Sequence, residues 1–368
     1  MRFSSFIISI LLAASWPIAP ERPPKPHMVV LETEQREGYT CRLVEYSSSG
    51  KERLRTFLLV PDGASRKDKK PALVLLHDHG ARFDIGKEKL ARPMASAPEY
   101  IKKSSRQWVS ANFDGIYLAD SLAALGYVVI VPEQLYWGGR ASSKCREWSE
   151  RMFGGETLSK AGVKALKPLR NEVYEGQRAV YDSLASKGIC WAEKTLAEDI
   201  AAVEVLRSLP FVDKRRIGAF GWSMGAHRCF LLTAFCKHVR TGVSLSWMTL
   251  RELEKEPYSA SVYSMLIPSL RNEYDFPDIA RWLAPKPYMF LSGTEDHLFP
   301  KEAVEECYSR MQAYYSEKAA GGALETVFFE GGHHCGREEQ RLIVSYLDSA
   351  LRQRSSRHTS GPIPGNNP

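Results

Sequence analysis

The stretch Ile217-Gly218-Ala219-Phe220-Gly221-Trp222-Ser223-Met224-Gly225 leaves few folds open to this chain. A short apolar run passes directly into Gly-x-Ser-x-Gly and then into a helix-like segment, Ala226 to Cys236. A strand that turns at once into a helix brings two backbones too close for a Cβ. That explains a glycine on either side, and the tight turn presents the serine oxygen at the end of a sheet. The pattern alone arises by chance in roughly one chain in ten of this length, so the surrounding residues have to decide.

They carry the rhythm of an α/β protein. Short, wholly apolar runs recur at Ala72 to Leu76, Tyr127 to Val131, Gly242 to Trp247, Tyr288 to Ser292 and Thr326 to Phe329, as expected of strands buried on both faces of a parallel sheet. Helical spacing links Leu196, Ile200, Val203 and Leu206 ahead of Pro210, and Thr195-Leu196-Ala197-Glu198 has the form of a capping box. Further helices are expected in the Glu302 to Tyr315 region and at Glu338 to Leu351, and an N-terminal hairpin, Tyr39 to Tyr46 and Arg53 to Val60, around Ser47-Ser48-Ser49-Gly50. Ala81 to Ser110 and Tyr136 to Ala192 break the rhythm. They read as insertions after the third and fourth strands, on the side where such sheets bind ligands, and the second, rich in aromatic and charged residues, as a small lid.

A serine nucleophile on such a sheet needs an acid after a later strand and a histidine after the last one. Asp296 ends Leu291-Ser292-Gly293-Thr294-Glu295-Asp296, and His333 stands in Glu330-Gly331-Gly332-His333-His334-Cys335. The expected roles are Ser223 as nucleophile, His333 as base and Asp296 as its orienter, with His334 the alternative base and Glu295 or Asp278 the competing acids. An oxyanion would be held by the backbone N–H of Met224 and by an N–H of the loop His77-Asp78-His79-Gly80-Ala81-Arg82, for which Ala81 is the candidate. Trp222, Trp137 and Arg140 are candidates for lining the substrate pocket, against core packing for the tryptophans. His77, Asp78 and His79 are consecutive and diverge on an extended chain, so hydrogen bonding is expected of them rather than metal ligation. No metal or cofactor is expected.

The two ends read differently from the middle. Met1-Arg2, an apolar run from Phe3 to Ala14, small residues and a Pro-rich stretch from Pro17 to Pro26 have the form of a secretory signal. At about 12 residues the run is short of the roughly 20 that span a bilayer as a helix. The expected organisation is a signal peptide over 1–19, a Pro-rich linker over 20–37, one catalytic domain over 38–351 and a disordered tail over 352–368, with a secreted or periplasmic destination. Of the formal charge of +7, much sits at the ends, in Arg2, Arg22, Lys25, Arg352, Arg354 and Arg357. No folded basic face emerges, and nucleic acid is not an expected partner. Seven cysteines contain no C-x-x-C pair for zinc; either Cys145 and Cys190 staple the second insertion or the thiols are free and buried.

From Leu73 to Leu351 the chain resembles the dienelactone-hydrolase-like and acetyl-xylan-esterase-like branch of the α/β-hydrolases. The resemblance lies in His77-Asp78-His79-Gly80 with Ile85-Gly86-Lys87-Glu88-Lys89, and in Gly126-Tyr127-Val128-Val129 leading to Trp137-Gly138-Gly139-Arg140. It also lies in Val212-Asp213-Lys214-Arg215-Arg216-Ile217-Gly218 and Ala284-Pro285-Lys286-Pro287. It implies an α/β-hydrolase fold, a mostly parallel sheet with helices on both faces, and an exported esterase acting on acylated carbohydrate through Ser223, Asp296 and His333. True dienelactone hydrolases carry a cysteine nucleophile where this elbow has Ser223. The expected substrate is a small-molecule or carbohydrate ester. The competing readings are a peptidase of related fold and a silent relative that holds glycans on its aromatic insertion.

Overall fold

The computed structural model describes residues 27–48, 52–250, 263–271 and 273–352. Two burial patterns divide its nine-stranded sheet. Strand β2 (Tyr39–Ser47) alternates between buried and half-buried residues, so one of its faces is better covered than the other. Strands β4 (Lys70–Leu76), β5 (Val128–Pro132), β7 (Thr241–Leu245) and β8 (Tyr288–Gly293) are buried nearly throughout, because helices cover both faces.

With β1 (Val29–Arg36), β3 (Arg53–Pro61), β6 (Val212–Trp222) and β9 (Leu324–Phe329), the strand order is β1-β2-β3-β5-β4-β6-β7-β8-β9. The first three strands form an antiparallel meander, β3 meets β5 antiparallel, and every pairing from β5 to β9 is parallel. This is the α/β-hydrolase architecture. After β4 the chain runs one way to β5, then crosses back to β6 on the other side. The loops leaving β4 and β6 therefore diverge and open a crevice at the strand ends, where an open α/β sheet binds its ligands.

The helices before β6 are α1 (Glu99–Asn112), α2 (Leu118–Ala124), α3 (Ser143–Phe153), α4 (Lys160–Ala165), α5 (Lys167–Ala185) and α6 (Trp191–Ser208). The two insertions are thus helical, and α1 packs on α3 and α3 on α5. Helix α7 (Met224–Phe235) covers one face of β6 and β7, within one apolar core. The C-terminal helix Arg337–Arg352 covers the same strands from within the second core, through Ile343, Leu347 and Leu351.

Two expectations need correction, and one alternative is decided. The stretch assigned to a linker over 20–37 contains β1, whose residues pair with β2 over Val29 to Arg36. Buried Arg36 anchors it by bonds to Glu34, to Asp120 and to the carbonyls of Arg92 and Pro93. Thr195-x-x-Glu198 is not a capping box, because α6 begins a turn earlier at Trp191 with Cys190 as its cap. The seven cysteines are free, six of them buried, so Cys145 and Cys190 form no staple. The signal over 1–19, the Pro-rich stretch to Pro26, Ser49-Gly50 of the hairpin turn and the tail beyond Arg352 lie outside the described residues. Among the described residues no helix is long and apolar enough to cross a membrane.

Candidate active site

Ser223 sits between β6 and α7 with φ 55° and ψ −123°, a conformation costly for a non-glycine residue and one that persists only where its surroundings enforce it. Its own N–H donates to the Leu245 carbonyl at 2.9 Å, and its carbonyl accepts from Ala226 at 2.8 Å. The flanking glycines are sterically required. A Cβ on Gly221 would lie 1.8 Å from the Gly225 oxygen, and one on Gly225 would lie 1.9 Å from the Leu76 oxygen. The elbow is thus pressed against the end of β4. Arg228 ties α7 to α6 through a buried, two-pronged bond to Asp199, at 3.0 and 2.7 Å.

Asp296 and His333 meet directly, Nδ1 to Oδ2 at 2.7 Å. The other carboxylate oxygen accepts from the N–H groups of Leu298 and Phe299 at 2.9 and 3.3 Å, so the Asp296 side chain cannot swing. The imidazole lies between two aromatic rings, Trp222 at 5.3 Å and Phe299 at 5.7 Å between centroids. The first of these precedes Ser223, and so the elbow and the histidine loop are in contact. The loops after β8 and β9 are stitched together: Thr294 donates to the Phe329 carbonyl at 2.9 Å and Glu295 to the Gly331 carbonyl at 2.8 Å. A Cβ on Gly293 would lie 2.4 Å from the Gly331 oxygen.

His334 turns away from this constellation, toward Glu339 at 3.6 Å. Asp278 is bound by Arg310 and Tyr314 and closes a capping box with Asp275. His77 is buried with both ring nitrogens assigned by their partners: Nδ1–H donates to the Asp78 carbonyl at 3.0 Å, and Nε2 accepts from Gln134 N–H at 3.2 Å. Burial, with the charges of Arg228 and Lys89, pushes its pKa well down, which keeps the ring neutral.

Met224, as the first residue of α7, has no intrahelical acceptor for its N–H, and the positive end of the helix dipole lies there. Ala81 does not match its expected role. Its N–H donates to His79 Nδ1 at 3.1 Å, and His79 in turn donates from Nε2 to Gln177 Oε1 at 2.8 Å. The structure gives the three substrate-lining candidates protein partners. Trp222 is 2% exposed and packs on His333. Trp137 is fully buried, its indole N–H on the His79 carbonyl at 3.1 Å. Arg140 is gripped two-pronged by Glu198, at 2.6 and 2.9 Å, and also by Glu52. It borders a cavity of about 500 Å³ shared with Arg53, Arg55 and Phe57 of β3, three strand positions from β6. Sequence reasoning misses Lys89, Gln177 and the anchoring role of Trp137. The signals that point toward them are the Ile85 to Lys89 motif, which contains the lysine, and the Trp137-Gly138-Gly139-Arg140 motif; nothing local marks Gln177.

Residues 106–359 match the model of the dienelactone hydrolase family. The protein YtaP of Bacillus subtilis (strain 168) is 23% identical over 305 residues, covering 82% of this chain and 85% of that protein. Among solved structures, a candidate acetyl xylan esterase of Bacteroides fragilis NCTC 9343 superposes with a TM-score of 0.62 at 17% identity, over 83% of this chain and 70% of its own. The glucuronoyl esterase from Solibacter usitatus does so with a TM-score of 0.59 at 14% identity, over 90% and 88%.

Proposed function

The chain belongs to the dienelactone hydrolase family, and we propose that it is an exported serine carboxylester hydrolase that removes small acyl groups from carbohydrate. The observation that carries the reading is the bond from His333 Nδ1 to Asp296 Oδ2, beside a strained serine at a strand-to-helix turn.

The bond to Asp296 holds the proton on Nδ1 and leaves Nε2 as the base. Ser223 Oγ attacks the ester carbonyl while Nε2 takes its proton, and the tetrahedral oxyanion is met by the Met224 N–H at the head of α7. Nε2 then returns the proton to the departing alcohol, leaving an acyl group on Ser223. A water deprotonated by the same nitrogen releases the acid and restores the serine. Asp296 steadies the imidazolium at both stages, and the backbone donors on its other oxygen keep it oriented.

The carbohydrate alcohol rests on the fold neighbours named above, and export on the leader pattern of residues 1–19. Against a glycan-holding silent relative stands the burial of Trp137, Trp148 and Phe153 in the second insertion, where Tyr174 is half-buried. Hydrolysis of p-nitrophenyl acetate and butyrate and of acetylated xylan, by the native chain and by Ser223→Ala, tests the proposal. Turnover that falls by about 10⁶ on substitution supports it. A folded native protein inert on all three esters, or an active Ser223→Ala, sinks it.

A further inference from the structure

Among the described residues one lysine is buried completely, and it lies beside the oxyanion loop. Lys89 is 0% exposed, and its ammonium donates to the Asp78 carbonyl at 2.9 Å, the Asp78 carboxylate at 3.2 Å and the His79 carbonyl at 2.9 Å. The His79 oxygen also takes the indole N–H of Trp137 at 3.1 Å. Two donors therefore pin one carbonyl, in the peptide that joins His79 to Gly80.

A trans peptide is planar, so its N–H points opposite its C=O. Holding the His79 carbonyl from one side aims the Gly80 N–H to the other. Among the described residues that N–H has no acceptor, whereas the next one, of Ala81, is engaged by His79. Gly80 itself has φ +55°, and a Cβ there would lie 2.3 Å from the Trp108 ring and 2.5 Å from the Asp78 carboxylate. A side chain at this position would be strained by the backbone and crowded by both groups. The loop lies against the elbow, because Gly225 abuts the carbonyls of Leu76 and His77.

A buried ion pair is a poor device for stability alone, since the cost of desolvating two charges often cancels their attraction. A positive charge on a peptide carbonyl, however, polarises that peptide and strengthens its N–H as a donor. Resting on the acyl-transfer reading above, we propose that Lys89 is a positioning residue that, with Trp137, locks the 79–80 peptide so that the Gly80 N–H becomes the second donor to the oxyanion.

The test compares the full-length native chain with Lys89→Met, Trp137→Phe and Ser223→Ala. Circular dichroism reports folding, kcat and KM are measured on p-nitrophenyl acetate, and inhibition is measured with an alkylboronic acid that mimics the tetrahedral adduct. In folded Lys89→Met, kcat should fall by about 100-fold with KM little changed, the size expected for loss of one oxyanion donor. The boronic acid should lose affinity in parallel. Trp137→Phe, which removes one of the two donors to the carbonyl, should lose about 5-fold in kcat by the same argument. A folded Lys89→Met with native kcat and native boronic-acid affinity overturns the proposal. So does a loss carried wholly by KM. Should Lys89→Met fail to fold, an unchanged kcat in Trp137→Phe overturns it as well. An active Ser223→Ala would bring down the acyl-transfer reading itself, whereas an inactive Ser223→Ala beside a fully active Lys89→Met removes only the role of Lys89.

Discussion

The acid–histidine side of the site and the loop after β4, which carries the proposed oxyanion donor, are held by different means. On the first, Asp296 and His333 leave neighbouring strands, β8 and β9, and backbone bonds from Thr294 and Glu295 hold the two loops together. The first insertion adds only a backbone contact just beyond the histidine, Cys335 N–H to the Asn112 carbonyl at 3.0 Å, and the packing of Trp108 on Trp222. On the second, the five residues from His77 to Ala81 are gripped by side chains from elsewhere: Lys89 from the first insertion, Trp137 after β5, and Gln177 from α5. The acid–histidine pair depends chiefly on strand adjacency, whereas the His77 to Ala81 loop depends on how the insertions pack.

That difference can be broken apart experimentally. Among variants that keep Ser223, the largest effect is expected from Asp296→Asn, which keeps the shape but favours the wrong imidazole tautomer. By the analogous change in the serine-protease triad, kcat should fall by about 10⁴ with the fold intact, read from ester turnover and thermal melting. Next comes Gly80→Ala, which places a methyl group on the Trp108 ring. We expect kcat to fall by about 10² through displacement of the oxyanion donor, together with a lower melting temperature. Equal losses in both variants would mean that the two sides do not act separately. The smallest effect belongs to His334→Ala: the ring faces Glu339 rather than Asp296, and kcat should stay within about twofold, as for a surface change away from the chemistry. A loss in this variant like that of Asp296→Asn would reassign the base.

Much of the first side is legible in the residue order. Glycines that a turn requires, an aspartate closing an apolar strand and a histidine after paired glycines are all local signals, each read within about six residues of the chain. The oxyanion loop is legible only as a place. Ala81 follows the glycine in sequence, but its N–H is taken by a histidine whose other nitrogen is held by a glutamine 98 residues away. Arg140 and Trp137 read as ligand-facing because charged and aromatic residues cluster in that insertion. In the folded chain Glu198 and Glu52 take up the arginine, and the tryptophan anchors a carbonyl. Likewise Glu198 reads as half of a capping box, since a four-residue pattern says nothing of an arginine 58 positions earlier.

From residue order alone came the α/β class, the elbow at Ser223, and the chain order of serine, acid and histidine, each after a strand end. These depend on backbone sterics and on the burial of apolar runs, both of which act at short range along the chain. The tertiary structure alone decided which amide of the His77 to Ala81 loop has no partner, which thiols stay unpaired, and which residue of the protein a buried charge meets. Such choices are made by hydrogen bonds between distant segments. In a low-dielectric interior each buried polar group must find a partner, and which partner it finds is fixed only when the insertions close over the sheet.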